Sequence, residues 1–258
     1  MRLHVHEWGD PEQPALVCLH GVTGHGERFR RLAEERWGGT RRVLAFDLRG
    51  HARSGWEPPW TFPTHVADLV ETAESLDLAS ADWAGHSFGG RLVLELAATH
   101  PELVRSAALL DPVIRIPAHV AGDFAAAEMR EPVYASREAY VAERLAAGPQ
   151  TPAFAVEEDA VQHLEPLDGS FRRRTCQPAV ISIFGELTTA PPPPETLQAP
   201  CLLLHAPEYG LVRGFQVEGY RAALGDRLSV VAVPGMHMVM WDAFEETAAA
   251  VEDLLARS

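Results

Sequence analysis

Six short apolar runs punctuate the chain, at 16–19, 43–46, 81–84, 107–110, 202–205 and 228–233. Most are continuous rather than alternating, as strands are when both faces of their sheet are covered. Between them, 26–37, 64–76, 88–100 and 242–256 repeat apolar positions at helical spacing; Gly38-Gly39 follows the first and Pro101 stops the third. Strand and helix in turn predict a mostly parallel, doubly wound α/β sheet. The opening Met1-Arg2-Leu3-His4-Val5-His6 alternates like a strand. The rhythm breaks over 113–195, where 120–129, 136–147 and 156–163 read as helices and no core strand is evident. The pattern therefore predicts a core of 1–112 and 196–258 carrying 113–195 as an inserted helical lid. Pro191 to Pro194 form a stiff connector back to the run that follows Pro200.

Composition narrows the chemistry. At 258 residues, 47% hydrophobic and 22% charged, the chain suits one domain with an insertion. It contains no lysine, which excludes Schiff-base catalysis and a Walker-type phosphate lysine, and no asparagine, which excludes N-glycosylation. A formal net charge of −14 opposes nucleic acid and anionic membrane surfaces as partners. Cys18, Cys176 and Cys201 lack metal-ligand spacing and read as free thiols. With no signal-type apolar core at the N-terminus and no run of about 20 apolar residues, the expectation is a cytoplasmic protein; oligomeric state is not legible.

Candidate chemistry centres on Gly85-His86-Ser87-Phe88-Gly89. Gly-x-Ser-x-Gly between a strand and a helix is a nucleophile elbow, a tight turn that exposes the serine hydroxyl. Gly85 and Gly89 permit close approach of strand and helix, and Gly90 is read as adding slack. Ser87 needs a base, and His237 in Gly235-Met236-His237, between the last strand and the last helix, can reach over the strand ends.

With Leu19-His20-Gly21-Val22-Thr23-Gly24 and Asp47-Leu48-Arg49-Gly50-His51 added to these motifs, the chain resembles the α/β-hydrolase superfamily over essentially all its length outside the lid. Ala52 departs from a frequent glycine, a matter for the local turn alone. The resemblance implies an oxyanion hole from the backbone N–H groups of Val22 and Phe88. It also implies a third triad member. The usual aspartate position after the 202–205 run holds Tyr209, which carries no charge near neutral pH. Two carboxylates compete: Asp111, ending the run after the nucleophile helix as in certain dehalogenases and lactone hydrolases, and Glu208, one residue from the usual place. Asp111 is favoured.

Other features have blander readings. His4 and His6 share a strand face, but no carboxylate is suggested nearby, so an exposed face is favoured over a metal site. Arg172-Arg173-Arg174 is read as a solvated run pairing with acids rather than a contact for an anionic substrate. His86 and Asp47 are assigned to strand ends. Aromatics and methionines such as Phe124, Met129, Tyr134, Tyr140, Phe154, Phe171 and Phe184 are expected mainly to pack the lid. The leading expectation is cofactor-independent, metal-independent hydrolysis of small hydrophobic esters, lactones included, through an acyl-enzyme. The same elbow serves carbon–carbon bond hydrolysis and cofactor-free perhydrolysis in related families, and a non-catalytic ligand-binding protein is the reading from another class. A serine at 87 disfavours an aspartyl-nucleophile dehalogenase or epoxide hydrolase.

Overall fold

The computed structural model describes residues 1–130 and 133–257. The described residues form ten strands: β1 His4–Trp8, β2 Ala15–Leu19, β3 Arg42–Asp47, β4 Ala81–His86, β5 Val104–Leu110, β6 Val133–Tyr134, β7 Leu164–Leu167, β8 Ser170–Arg173, β9 Cys201–His205 and β10 Leu228–Ala232. Seven make one sheet in the order β1-β3-β2-β4-β5-β9-β10. Only the edge strand β1 runs antiparallel to its neighbour. The helices are α1 Arg30–Leu32, α2 Phe62–Ser75, α3 Phe88–Thr99, α4 Ala118–Glu128, α5 Arg137–Ala147, α6 Ala153–His163, α7 Gln177–Glu186, α8 Gly214–Leu224, α9 Val239–Asp242 and α10 Phe244–Leu255.

Continuous apolar strands are explained by two separate cores. Val17 and Leu19 of β2 and Leu203 of β9 face one cluster, which includes Leu69 of α2, Leu92 and Leu96 of α3 and Tyr220 of α8. Leu16, Cys18, Leu202 and Leu204 face the other, with Leu32 of α1, Trp37, and Phe244, Val251 and Leu254 of α10. A period of two thus delivers each strand's side chains alternately to opposite faces, both of them dry.

Some elements differ from the expectation. The segment at 26–37 is not one α-helix: it passes from a 3₁₀ turn, Gly26–Phe29, through α1 into a π turn, Ala33–Trp37. The last helix is broken into α9 and α10 at Ala243. The 113–195 segment holds α4 to α7 but also a three-stranded antiparallel sheet, β6-β8-β7. These strands are two to four residues long and carry Glu165, Arg172 and Arg173, so no apolar run announces them. Buried Arg91 of α3 fastens both ends of the segment, donating to the carbonyls of Ile114 and Ala190. No helix among the described residues is long and apolar enough to cross a membrane.

Candidate active site

Strand register sets the site. His86 of β4 is level with Leu110 of β5, so Ser87 and Asp111 leave adjacent strands side by side at their C-terminal ends. Ser87 donates its N–H to Leu110, and its own backbone sits at φ 56°, ψ −116°. Close packing enforces this turn: a Cβ on Gly85 would lie 2.3 Å from the Gly89 carbonyl oxygen, and one on Gly89 would lie 2.2 Å from that of Leu19. Gly90 is not slack, because a Cβ there would come within 2.7 Å of Pro112 Cβ. Asp111 is wholly buried, also at positive φ, and donates its N–H to Leu204 while Oδ1 accepts from Ala206 N–H.

His237 lies between them. Its Nε2 is 2.9 Å from Ser87 Oγ and its Nδ1 is 2.6 Å from Asp111 Oδ2. The tautomer with hydrogen on Nδ1 donates to the carboxylate and accepts from the hydroxyl. Glu208, the other candidate acid, is exposed on the loop after β9. Tyr209 from that loop stacks on the His237 imidazole at 4.9 Å with an interplanar angle of 16°. Asp242 accepts from Met236 N–H and from the Thr151 hydroxyl, fixing the loop that carries His237.

Three buried histidines that sequence reasoning left aside or treated as structural support this arrangement. His86 Nε2 donates to the backbone carbonyl of His237 at 2.8 Å, and the two rings lie 4.6 Å apart. Burial, reinforced by neighbouring His237, pushes the His86 pKa well below its ordinary value, so the ring is neutral. His20 donates from Nδ1 to the Gly21 carbonyl and accepts the Leu48 N–H on Nε2. His51 places Nε2 2.5 Å from the Val22 carbonyl. His20 and His51 thus brace the turn closed by Gly24 N–H on Gly21. The N–H groups of Val22 and Phe88 have no hydrogen-bond partner among the described residues. His20 and His51 belong to quoted motifs, so the signal was present in the sequence; their contacts were not.

The cavity over Ser87 measures about 360 Å³. Its walls include Val113, Ile116, Leu187, Leu211, Met238 and Trp241. Phe124 and Phe184, expected mainly as packing, stack on each other at 5.2 Å and line it. Arg173 also lines it and pairs with Glu128, whereas Arg172 pairs with Glu165.

The reading of His4 and His6 as an exposed face without a carboxylate is corrected. His6 is buried, with Nε2 3.1 Å from Asp47 and Nδ1 3.0 Å from Glu27. Asp47 arrives from the neighbouring strand, level with His4, a pairing that sequence spacing conceals. His4, His6 and Asp47 offer ligand atoms within 4.8 Å of one another. Both nitrogens of His6, however, are occupied by carboxylates. Burial opposes a charged ring, yet these bonds raise the His6 pKa to about 9.

A family model described as the alpha/beta hydrolase fold matches residues 14–178, and the chain belongs to that family. Lipase LipV of Mycobacterium tuberculosis is 31% identical over 189 residues, which span 72% of this chain and 71% of the lipase. Among solved structures, E-2-(acetamidomethylene)succinate hydrolase aligns with a TM-score of 0.90 at 24% identity, covering 98% of this chain and 95% of its own. The enol-lactonase from Burkholderia xenovorans LB400 aligns at 0.79 and 19% identity, covering 98% and 96%. Both of these structural likenesses are likenesses of fold.

Proposed function

We propose that the protein is a serine hydrolase of small carboxylic esters, including cyclic ones, with Ser87, His237 and Asp111 as its triad. The observation that carries this reading is the unbroken hydrogen-bonded chain from buried Asp111 through His237 to Ser87 Oγ at the floor of a cavity. Ser87 attacks the ester carbonyl as His237 Nε2 takes its proton, and the Val22 and Phe88 N–H groups receive the oxyanion. His237 then protonates the departing alcohol. Water, deprotonated by the same nitrogen, releases the acid and restores Ser87. Asp111 keeps the hydrogen on Nδ1 and offsets the imidazolium charge. The names of the relatives, a lipase and an enol-lactonase, agree with ester chemistry. Residues 113–195 act as the lid, supplying Phe124, Phe184 and Leu187 to the largely apolar wall.

The test is p-nitrophenol release from acetate, butyrate and octanoate esters by wild type and Ser87→Ala. Turnover that depends on Ser87, and falls for the octanoate because the cavity is small, is expected. A wild type no faster than the variant would move the protein to ligand binding without catalysis.

A further inference from the structure

Three guanidiniums converge on one side of the cavity in a chain of net charge −14: Arg28, Arg144 and Arg173. The same three line an adjoining recess of about 240 Å³, beside Thr23 and Glu128. Two of them are committed. Arg28 donates to Asp159 from Nε at 2.7 Å and from Nη2 at 3.3 Å, and Arg173 donates to Glu128 from Nη2. Arg173 Nε is nevertheless buried without a partner. The guanidinium of Arg144 of α5, a half-buried residue, has no hydrogen-bond or ion-pair partner among the described residues. Arg144 lines the same cavity as Ser87, His237 and Tyr209, the ring that stacks on His237. Of the cavity's acids, Asp242 already accepts from Thr151 and Met236, and Glu128 from Arg173.

A guanidinium with no side-chain partner on the wall of a cavity is open to a ligand, and it matches a carboxylate in a planar two-point contact. We infer that the substrate is an ester bearing a second, free carboxylate, bound by Arg144 with help from Arg173 while the ester carbonyl lies at Ser87. Glu128 on the same wall disfavours a dianion such as a phosphate monoester, which it would repel more strongly than a single carboxylate. The apolar side chains of the same lining, Val113, Ile116, Phe124 and Leu187 among them, accommodate the few methylenes that separate the two functional groups. This deepens the ester-hydrolase reading and rests on it. The reaction is the same: water adds across the ester bond, giving an alcohol and an acid, and the second carboxylate is unchanged.

The experiment compares monoethyl glutarate with ethyl pentanoate, which differ at the chain end by a carboxylate in place of a methyl group, in a pH-stat assay. The readout is the ratio of their kcat/KM values in wild type, Arg144→Gln and Arg144→Lys. Wild type is expected to favour the half-ester, and Arg144→Gln to lower the ratio by about 10- to 100-fold, the worth of a hydrogen bond to a charged group. Arg144→Lys retains part of it. A wild-type ratio of one or less, or a ratio unmoved by Arg144→Gln, overturns the inference and leaves the hydrolase reading intact. Binding of monoethyl glutarate to Ser87→Ala is measured in parallel by calorimetry, with and without Arg144→Gln. If wild type cleaves neither ester yet binding depends on Arg144, the carboxylate site stands and the hydrolase reading fails; no Arg144-dependent binding removes the site.

Discussion

Asp111 and Glu208 carry the same charge and lie near the same histidine in sequence-based reasoning, but their surroundings differ. Asp111 is wholly buried with one oxygen on His237 and the other on the Ala206 N–H, whereas Glu208 is solvated. Asp111→Asn is therefore expected to lower kcat by up to about 10⁴-fold, as the wrong histidine tautomer does in serine proteases; Glu208→Gln should stay within a few-fold. Steady-state kinetics on one ester checks the ranking, and the reverse order would transfer the role. Ser87 and His237 were legible because each sits in a short local motif. The choice of acid was less so, since it depends on β5 lying between β4 and β9, and on a register that brings Asp111 level with Ser87. His86 shows the same limit. Its place in the elbow is visible in the sequence, but the bond to the His237 carbonyl joins residues 151 apart.

At the scale of elements, most of the fold is legible because both faces of the sheet are covered, which makes the strands continuous apolar runs. What escaped has a physical cause in each case. The strands at 133–134, 164–167 and 170–173 are too short and polar to show a period. Helix α8, Gly214–Leu224, buries only Val217, Tyr220 and Leu224, a narrow stripe at i, i+3 and i+7. The strand-to-helix elbow shows how tightly elements are joined here. Gly89→Ala places a methyl against the Leu19 carbonyl and is expected to cost about 4 kcal/mol or more. Gly122→Ala within α4 meets open space and is expected to stabilise by roughly 0.5–1 kcal/mol. Urea denaturation of the two variants checks both signs.

Across the whole molecule, the titration of buried histidines sets the response to pH. Burial depresses His20, His65, His86 and His163, with His65 pushed down to about 3. The unfolded chain binds their protons first, so the contribution of these four rings is complete above pH 6.5 and falls as pH drops below it, by up to about 1.4 kcal/mol per pH unit for each ring. His6 works in the opposite sense. Its pKa is raised from 6.5 to about 9, so its contribution is present below pH 6.5 and is lost as pH rises through 9. A urea-denaturation series from pH 5 to 10 should show decline on both sides, and His6→Gln should flatten the alkaline side alone; an alkaline decline unchanged in that variant would dismiss the His6 ion pairs as its cause.

The catalytic assignment rests on Ser87 being a nucleophile activated by His237, and covalent trapping tests it most directly. The protein is treated with a fluorophosphonate ester and its peptides are mapped by mass spectrometry, alongside His237→Ala. The predicted result is a single adduct on Ser87 whose formation slows by orders of magnitude without His237. Ester turnover by a protein that takes up no label at Ser87, or labelling at another residue, would contradict it.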